Sequence, residues 1–471
     1  MEKSSFFTKD KTFYKTLFSM LAFVALQNII AYSVNMADNI MLGSYSQASL
    51  SGAATVNQVF FIVQQFALSF GNALVALAAQ YWGAKKVEPI KKLTGITLKI
   101  GVAVGIVLVV ISACIPSGLV RIFTDEADII SEGTKYLLLI MWTFLLYIIT
   151  NILMAALRAV GTVNISFYIS IVSLIVNVGI NYVLIFGKFG FPEMGIVGAA
   201  IGTLVARILE LLIVIFYLIF KDKKLCLFKQ SQEELEATGN AKAKLSFAWL
   251  FGNDKLLWKD YIKVYIPIMC ASVLWGVSVP MQTAILGHMS PDAIAANSVA
   301  TTFYQYLKVI VVAMSSTSAV MIGQSIGRGE MGQIKSDGRT LSVIDVGIGL
   351  VLGIALVVLK NPLLTLYNLN DTAMDLAGRL ILIMAVIMVG MSYQMPVSFG
   401  IIQGGGDTKF TMAMNLISTW LIVMPLSFMA AFWWKWPVEW VVVVVQSDQI
   451  FKCLPTFIHF RKYKWMKKLT R

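Results

Sequence analysis

Asp38 stands near the end of an apolar run that begins at Leu17, in the stretch VNMADNIMLG (34–43). A carboxylate in such a run is costly if hydrocarbon surrounds it, so intramembrane acids usually face protein or water and serve a function. Burial favours the protonated acid, whereas a neighbouring cation favours the ionised one. A proton and a cation can therefore compete for one carboxylate, which is the elementary requirement for exchanging them. The plainer alternative is that Asp38 merely ends its helix at the outer surface. Asn177 and Asn181 are one helical turn apart, so both amides project from one face. Their oxygens are neutral, hard ligands suited to an alkali cation. They are equally the groups that hydrogen-bond one membrane helix to another.

The elements that position these residues are membrane helices. The chain has 471 residues, 58% hydrophobic and only 13% charged. Soluble domains carry about a quarter charged residues, so this composition indicates an integral membrane protein. Its apolar blocks are each near the length that crosses a bilayer as helix, and too continuous for barrel strands. The predicted spans are 14–42, 51–81, 94–118, 135–157, 165–187 and 195–220, then 262–287, 295–325, 341–366, 377–402, 411–434 and 438–458. The basic start, MEKSSFFTKDKTFYK, has no small-residue cleavage site after it and reads as the lead-in to a retained first span. The net charge of +13 does not point to nucleic acid. With the N-terminus inside, most Lys and Arg fall in cytoplasmic segments, the bias that orients multi-pass proteins. Both termini are then cytoplasmic. The four cysteines show no CxxC spacing and read as packing residues.

The two sets of six spans resemble each other. One offset pairs DNIMLGSYS (38–46) with QTAILGHMS (282–290), matching Leu42 with Leu286, Gly43 with Gly287 and Ser46 with Ser290. The same offset still matches Gln80 with Gln324, Gly83 with Gly327 and Lys91 with Lys335. A further shift of one places Gly161 on Gly406. The expected organisation is an N-lobe over 1–220, a polar cytoplasmic linker over 221–261 with an interfacial helix around Leu245 to Leu257, and a C-lobe over 262–471. The fold class is thus all-α, with twelve transmembrane helices in two pseudo-symmetric six-helix lobes around a central cavity. Parallel repeats of this kind are a transporter architecture.

Five pieces carry a more specific likeness: ADNIMLG, AQYWGAKK, ALRAVGT, the run NVGINYVLIFGKFGFPEMGIVGAAIGT from Asn177 to Thr203, and GGGDTKF. Through them the chain resembles the multidrug and toxic compound extrusion (MATE) family of secondary transporters over essentially its whole length. The resemblance implies a monomeric exporter in the cell membrane that moves organic cations or other amphiphiles outward against inward Na⁺ or H⁺, without another cofactor. It also implies a coupling-ion site in the N-lobe at Asp38, Asn177, Asn181 and Thr203, with Asp38 and the two asparagines as the Na⁺ candidates. Such a site has one negative charge and suits one monovalent ion or one proton. The sequence departs from the family pattern in two ways. Several members have an aspartate where this chain has Asn181, and others have acids in the seventh and tenth helices, where this chain has none.

Gln282 takes the place of Asp38 in the second repeat, which confines the expected ion chemistry to the N-lobe. Phe60, Phe61 and Gln64 in the first half are candidates for the substrate cavity. In the second half the candidates are Trp275, Gln282, Tyr304 and Tyr393, with ordinary packing as the alternative for each aromatic. Lys308, mid-span in the eighth helix, either lines the cavity or repels cations from the C-lobe. Arg207 with Glu210 and Asp448 with Lys452 have the spacing of local ion pairs. Asp345, one turn into the ninth span near Arg339, is expected at the interface. Trp433, Trp434, Trp436 and Trp440 read as an interfacial belt.

Other classes fit less well. There is no GxxxxGK[ST] for an ATP-driven pump. The two histidines, His288 and His459, are near opposite surfaces and offer little to metal catalysis, so an enzyme is not expected. A lipid or glycolipid flippase of similar two-lobed build is the nearer rival, with Lys308 the residue in its favour.

Overall fold

The computed structural model describes residues 7–228, 247–252, 254–289, 291–365 and 371–470. The described residues are helical throughout their ordered elements, and 12 helices are long and apolar enough to cross a membrane. Several run past their predicted ends. The first helix is Lys11–Tyr45, the second Gln47–Gly83, and the seventh starts at Lys255. Apolar runs mark the part of a helix in hydrocarbon, whereas hydrogen bonding carries the helix on into water. Of the expected linker, residues 229–246 and 253 lie outside the described residues, as does Ser290 of the repeat. Its described part includes a short helix, Ala248–Phe251.

The chain divides into two compact units. An N-terminal unit holds Leu26–Tyr265, and a C-terminal unit holds Met1–Ala25 with Ile266–Arg471.

In the N-terminal unit the second and fourth spans pack most extensively, and the fourth also packs on the third and sixth. Small residues set those distances. A Cβ at Gly101 would meet Ile152 Cδ1 at 2.6 Å, and one at Gly105 would meet Leu145 Cδ1 at 2.9 Å. The fifth span, Asn164–Ile185, and the sixth, Ile196–Phe220, form a tight antiparallel pair. Their turn ends on Gly195, whose φ of 53° and closeness to the Tyr45 ring leave no room for a side chain. That turn sets the register between the asparagines of the fifth span and Thr203 of the sixth.

The C-terminal unit has one cluster in which Phe13 and Leu17 pack with Ile322, Leu341, Phe460 and Trp465. Described residues near both ends of the chain are anchored here. Thr8 donates its amide to Thr340 Oγ1 at 3.0 Å and its hydroxyl to Asp337 Oδ1 at 2.5 Å. Trp465 is fully buried and donates Nε1–H to the Phe460 carbonyl. The tenth span turns π-helical over Pro396–Ile402, and the eleventh over Leu416–Val423 and Met429–Trp433. Pro396 supplies the cause in the tenth: without an N–H it cannot donate to the carbonyl one turn back. Trp433, Trp434, Trp436 and Trp440 are all exposed.

Asp345 is buried at 1% exposure on the ninth span, which begins at Met331, ahead of the apolar run.

Candidate functional site

The first, fifth and sixth spans bring Asp38, Asn177, Asn181 and Thr203 into one hydrogen-bonded chain. Asn181 donates Nδ2–H to Asp38 Oδ1 at 2.6 Å and to Asn177 Oδ1 at 3.3 Å. Asn177 donates in turn to Thr203 Oγ1 at 3.2 Å. The one-turn spacing of the asparagines makes the middle link, and the fifth–sixth helix pair makes the last. Asn177 and Asn181 are buried at 1% and 0% exposure, while Asp38 is partly buried. The amide orientation follows from chemistry: an ionised carboxylate only accepts, so Asn181 must turn its nitrogen toward Asp38. Its Oδ1 is then left buried without a hydrogen-bond partner, against Gly202. A side chain at Gly202 would occupy the place of that oxygen.

Three more residues belong to the cluster and were not placed there by sequence. Tyr136 lies close to Thr203 and within electrostatic reach of Asp38. Arg207, one turn beyond Thr203, also acts electrostatically on Asp38. It pairs with Glu210 at 2.7 Å and lies 4.9 Å from the Tyr147 ring centroid. Thr203 and Arg207 at i, i+4 carried a signal for Arg207. Gly202 is one turn from Gly198, a spacing that by itself says no more than close helix packing. Tyr136 had no local signal, because a tyrosine in a long apolar helix gives no hint of its rotation.

The cavity candidates fall in both units. In the N-terminal unit Phe60 stacks on Phe144 at 5.8 Å and meets Tyr147 edge-on at 5.5 Å; Phe61 and Gln64 are partly buried on the same helix. In the C-terminal unit Lys308 lies over the Trp275 ring at 5.0 Å, and Gln282 is partly buried. Tyr304 is a core residue whose hydroxyl meets Met391 Sδ at 2.8 Å, and the Tyr393 hydroxyl is buried without a partner. Asp448 and Lys452 pair at 2.7 Å, and Lys452 also donates to Asn415 Oδ1 at 3.0 Å.

A carboxylate held among neutral amides and a hydroxyl, in a protein of twelve apolar helices, is the kind of site that secondary transporters build. The MatE family model matches residues 24–183 and 262–429, and the chain belongs to that family of transporters. It is 23% identical to the probable multidrug resistance protein NorM of Thermotoga maritima, covering 94% of this chain and 92% of that protein. Among solved structures, the Vibrio cholerae MATE transporter VcmN superposes with a TM-score of 0.83 at 17% identity, over 97% of this chain and 98% of that one. The eukaryotic MATE transporter AtDTX14 gives 0.83 at 18% identity over 97% of each chain. Twelve apolar helices and this membership make the protein a multi-pass membrane protein.

Proposed function

We propose that this protein is a secondary active multidrug exporter of the cell membrane, working as a monomer with both termini in the cytoplasm. It antiports organic cations or amphiphiles against inward Na⁺ or H⁺ by alternating access of its two units. The hydrogen bond from Asn181 to Asp38 is the observation that carries this reading. Multidrug-resistance relatives over nearly the whole chain support the substrate class. The burial of Phe13 and Leu17 in one cluster with Phe460 and Trp465 supports termini on one face.

The mechanism follows from what Asp38 can accept. Ionised, it takes the Asn181 donor and draws on the positive field of Arg207. When a proton or Na⁺ arrives, the Asn181 nitrogen is displaced or its amide turns over. The orphaned Oδ1 can then accept from the new O–H or join the oxygens around the ion. An organic cation that needs the ionised acid binds when the ion leaves, and its release outward lets the ion return. Such competition makes the two fluxes exchange. No other cofactor is required.

Efflux of a fluorescent organic cation from proteoliposomes under an imposed Na⁺ or H⁺ gradient tests this function and names the ion. Lys308 above the Trp275 ring supports the second reading, a lipid or glycolipid flippase, because it places a cation where an anionic headgroup would need one. Movement of headgroup-labelled lipid without cation export would establish that reading instead.

A further inference from the structure

The C-terminal unit contains a buried acid that the Asp38 cluster does not use. Asp345 is 1% exposed, and neither of its carboxyl oxygens has a hydrogen-bond partner. An ionised carboxylate cannot be left so; it must be neutralised by a proton or a cation.

By helix register, the polar groups of the tenth span on its side are hydroxyls. The ninth and tenth spans pack closely and run antiparallel: a Cβ on Gly353 would meet the Ala385 carbonyl at 2.8 Å, and one on Gly349 would meet Ser392 Cβ at 2.7 Å. One turn further along the ninth span is Asp345, which that register places toward Ser392, Tyr393 and Pro396. Tyr393 lies within electrostatic reach of it. Ser392 Oγ and Tyr393 Oη are themselves buried without hydrogen-bond partners.

The charged groups of the surrounding elements have other partners, Lys308 of the eighth span lying over the Trp275 ring and Asp448 of the twelfth pairing with Lys452. On the same helix, Asp337 accepts from Thr8, and Arg339 donates to the Tyr463 hydroxyl at 2.9 Å. On the eighth span, Arg328 bonds Ser325 and Glu330. On the tenth, Arg379 pairs with Asp375 and Glu439. On the twelfth, Cys453 faces Tyr393 and bonds the Gly390 and Gln449 carbonyls. No basic side chain forms an ion pair with Asp345 among the described residues. A buried acid near two unpaired hydroxyls fits a small, hard, monovalent cation.

We propose that Asp345, Ser392 and Tyr393 form a second exchangeable small-cation site, taking H⁺ or Na⁺, in the C-terminal unit. This site is separate from the Asp38 cluster and does not depend on what the protein exports.

Infrared difference spectroscopy on the full chain in lipid nanodiscs tests this. Asp38→Asn is the background, with buffer changed from acid to alkaline in K⁺, and then from K⁺ to Na⁺. The protonated-carboxyl band should persist in Asp38→Asn, be lost on alkalinisation or Na⁺ addition, and be absent when Asp345→Asn is added. A band that ignores both changes, or one that survives in the double variant, would overturn the site. Should Asp345→Asn fail to fold, Tyr393→Phe in the same background decides. A several-fold shift in the Na⁺ or H⁺ concentration for half-response supports the site, and an unchanged response overturns it.

Discussion

Asn181 shows how a single side chain sets the character of the site. Where a second acid would leave two negative charges to neutralise, the amide leaves one, and it donates to Asp38 at 2.6 Å. Replacing Asn181 with Asp should therefore increase the number of coupling ions bound per protein, read by equilibrium Na⁺ binding or proton release. Tyr136→Phe removes a hydroxyl close to Thr203 and should weaken ion binding by a few-fold, on the order of 1 kcal/mol, without unfolding the chain. Outside the spans, Asp407 gives a pH dependence. Burial pushes its carboxyl up, but Lys467 at 2.9 Å and His459 at 3.0 Å outweigh that and hold it below the usual carboxylate range. The folded value lies below the unfolded one, so the pairing stabilises the fold at pH above the ordinary carboxylate range. It is lost as acid titrates Asp407 through its lowered folded value. Thermal unfolding of the solubilised protein should show a fall in stability across that acid window that is reduced in Asp407→Asn.

At the scale of elements, the fifth–sixth pair is the part on which the site depends. Gly195 at φ 53° packs against Tyr45, and a methyl group there meets both backbone strain and the ring. Gly195→Ala should cost about 1–3 kcal/mol and lower the melting temperature, and it should impair ion binding with it. The spans themselves were legible, because twenty-residue apolar blocks state their own structure. The spacing of Asn177 and Asn181 was legible for the same reason: a helix puts i and i+4 together whatever surrounds it. What a helix's rotation about its own axis decides was not legible. Tyr136 turns toward Thr203, and Asp345 turns inward among uncharged groups, but one sequence gives no direction for either. The π-helical stretches were also hidden. Pro396 announced a break in hydrogen bonding, but not that the chain would absorb it by widening over Pro396–Ile402.

At the scale of the whole molecule, the repeat and the charge distribution spoke for two lobes over 1–220 and 262–471, whereas the compact units are Leu26–Tyr265 and Met1–Ala25 with Ile266–Arg471. The repeat also set Gln282 opposite Asp38, and from that pair alone the ion chemistry belonged to one half. Asp345 lies outside that pairing, so the repeat could not reveal it. Orientation has a direct check. Cysteines introduced at exposed Lys188 and exposed Arg461 should label from opposite sides of the membrane in intact cells, Lys188 from outside. The central claim is that Asp38 couples ion entry to export. It is tested by gradient-driven efflux of a fluorescent organic cation from proteoliposomes containing wild type or Asp38→Asn, with substrate binding measured in parallel. The expected result is gradient-driven efflux in the wild type and none above empty liposomes in Asp38→Asn, with both proteins equally folded. Undiminished export by Asp38→Asn would contradict it.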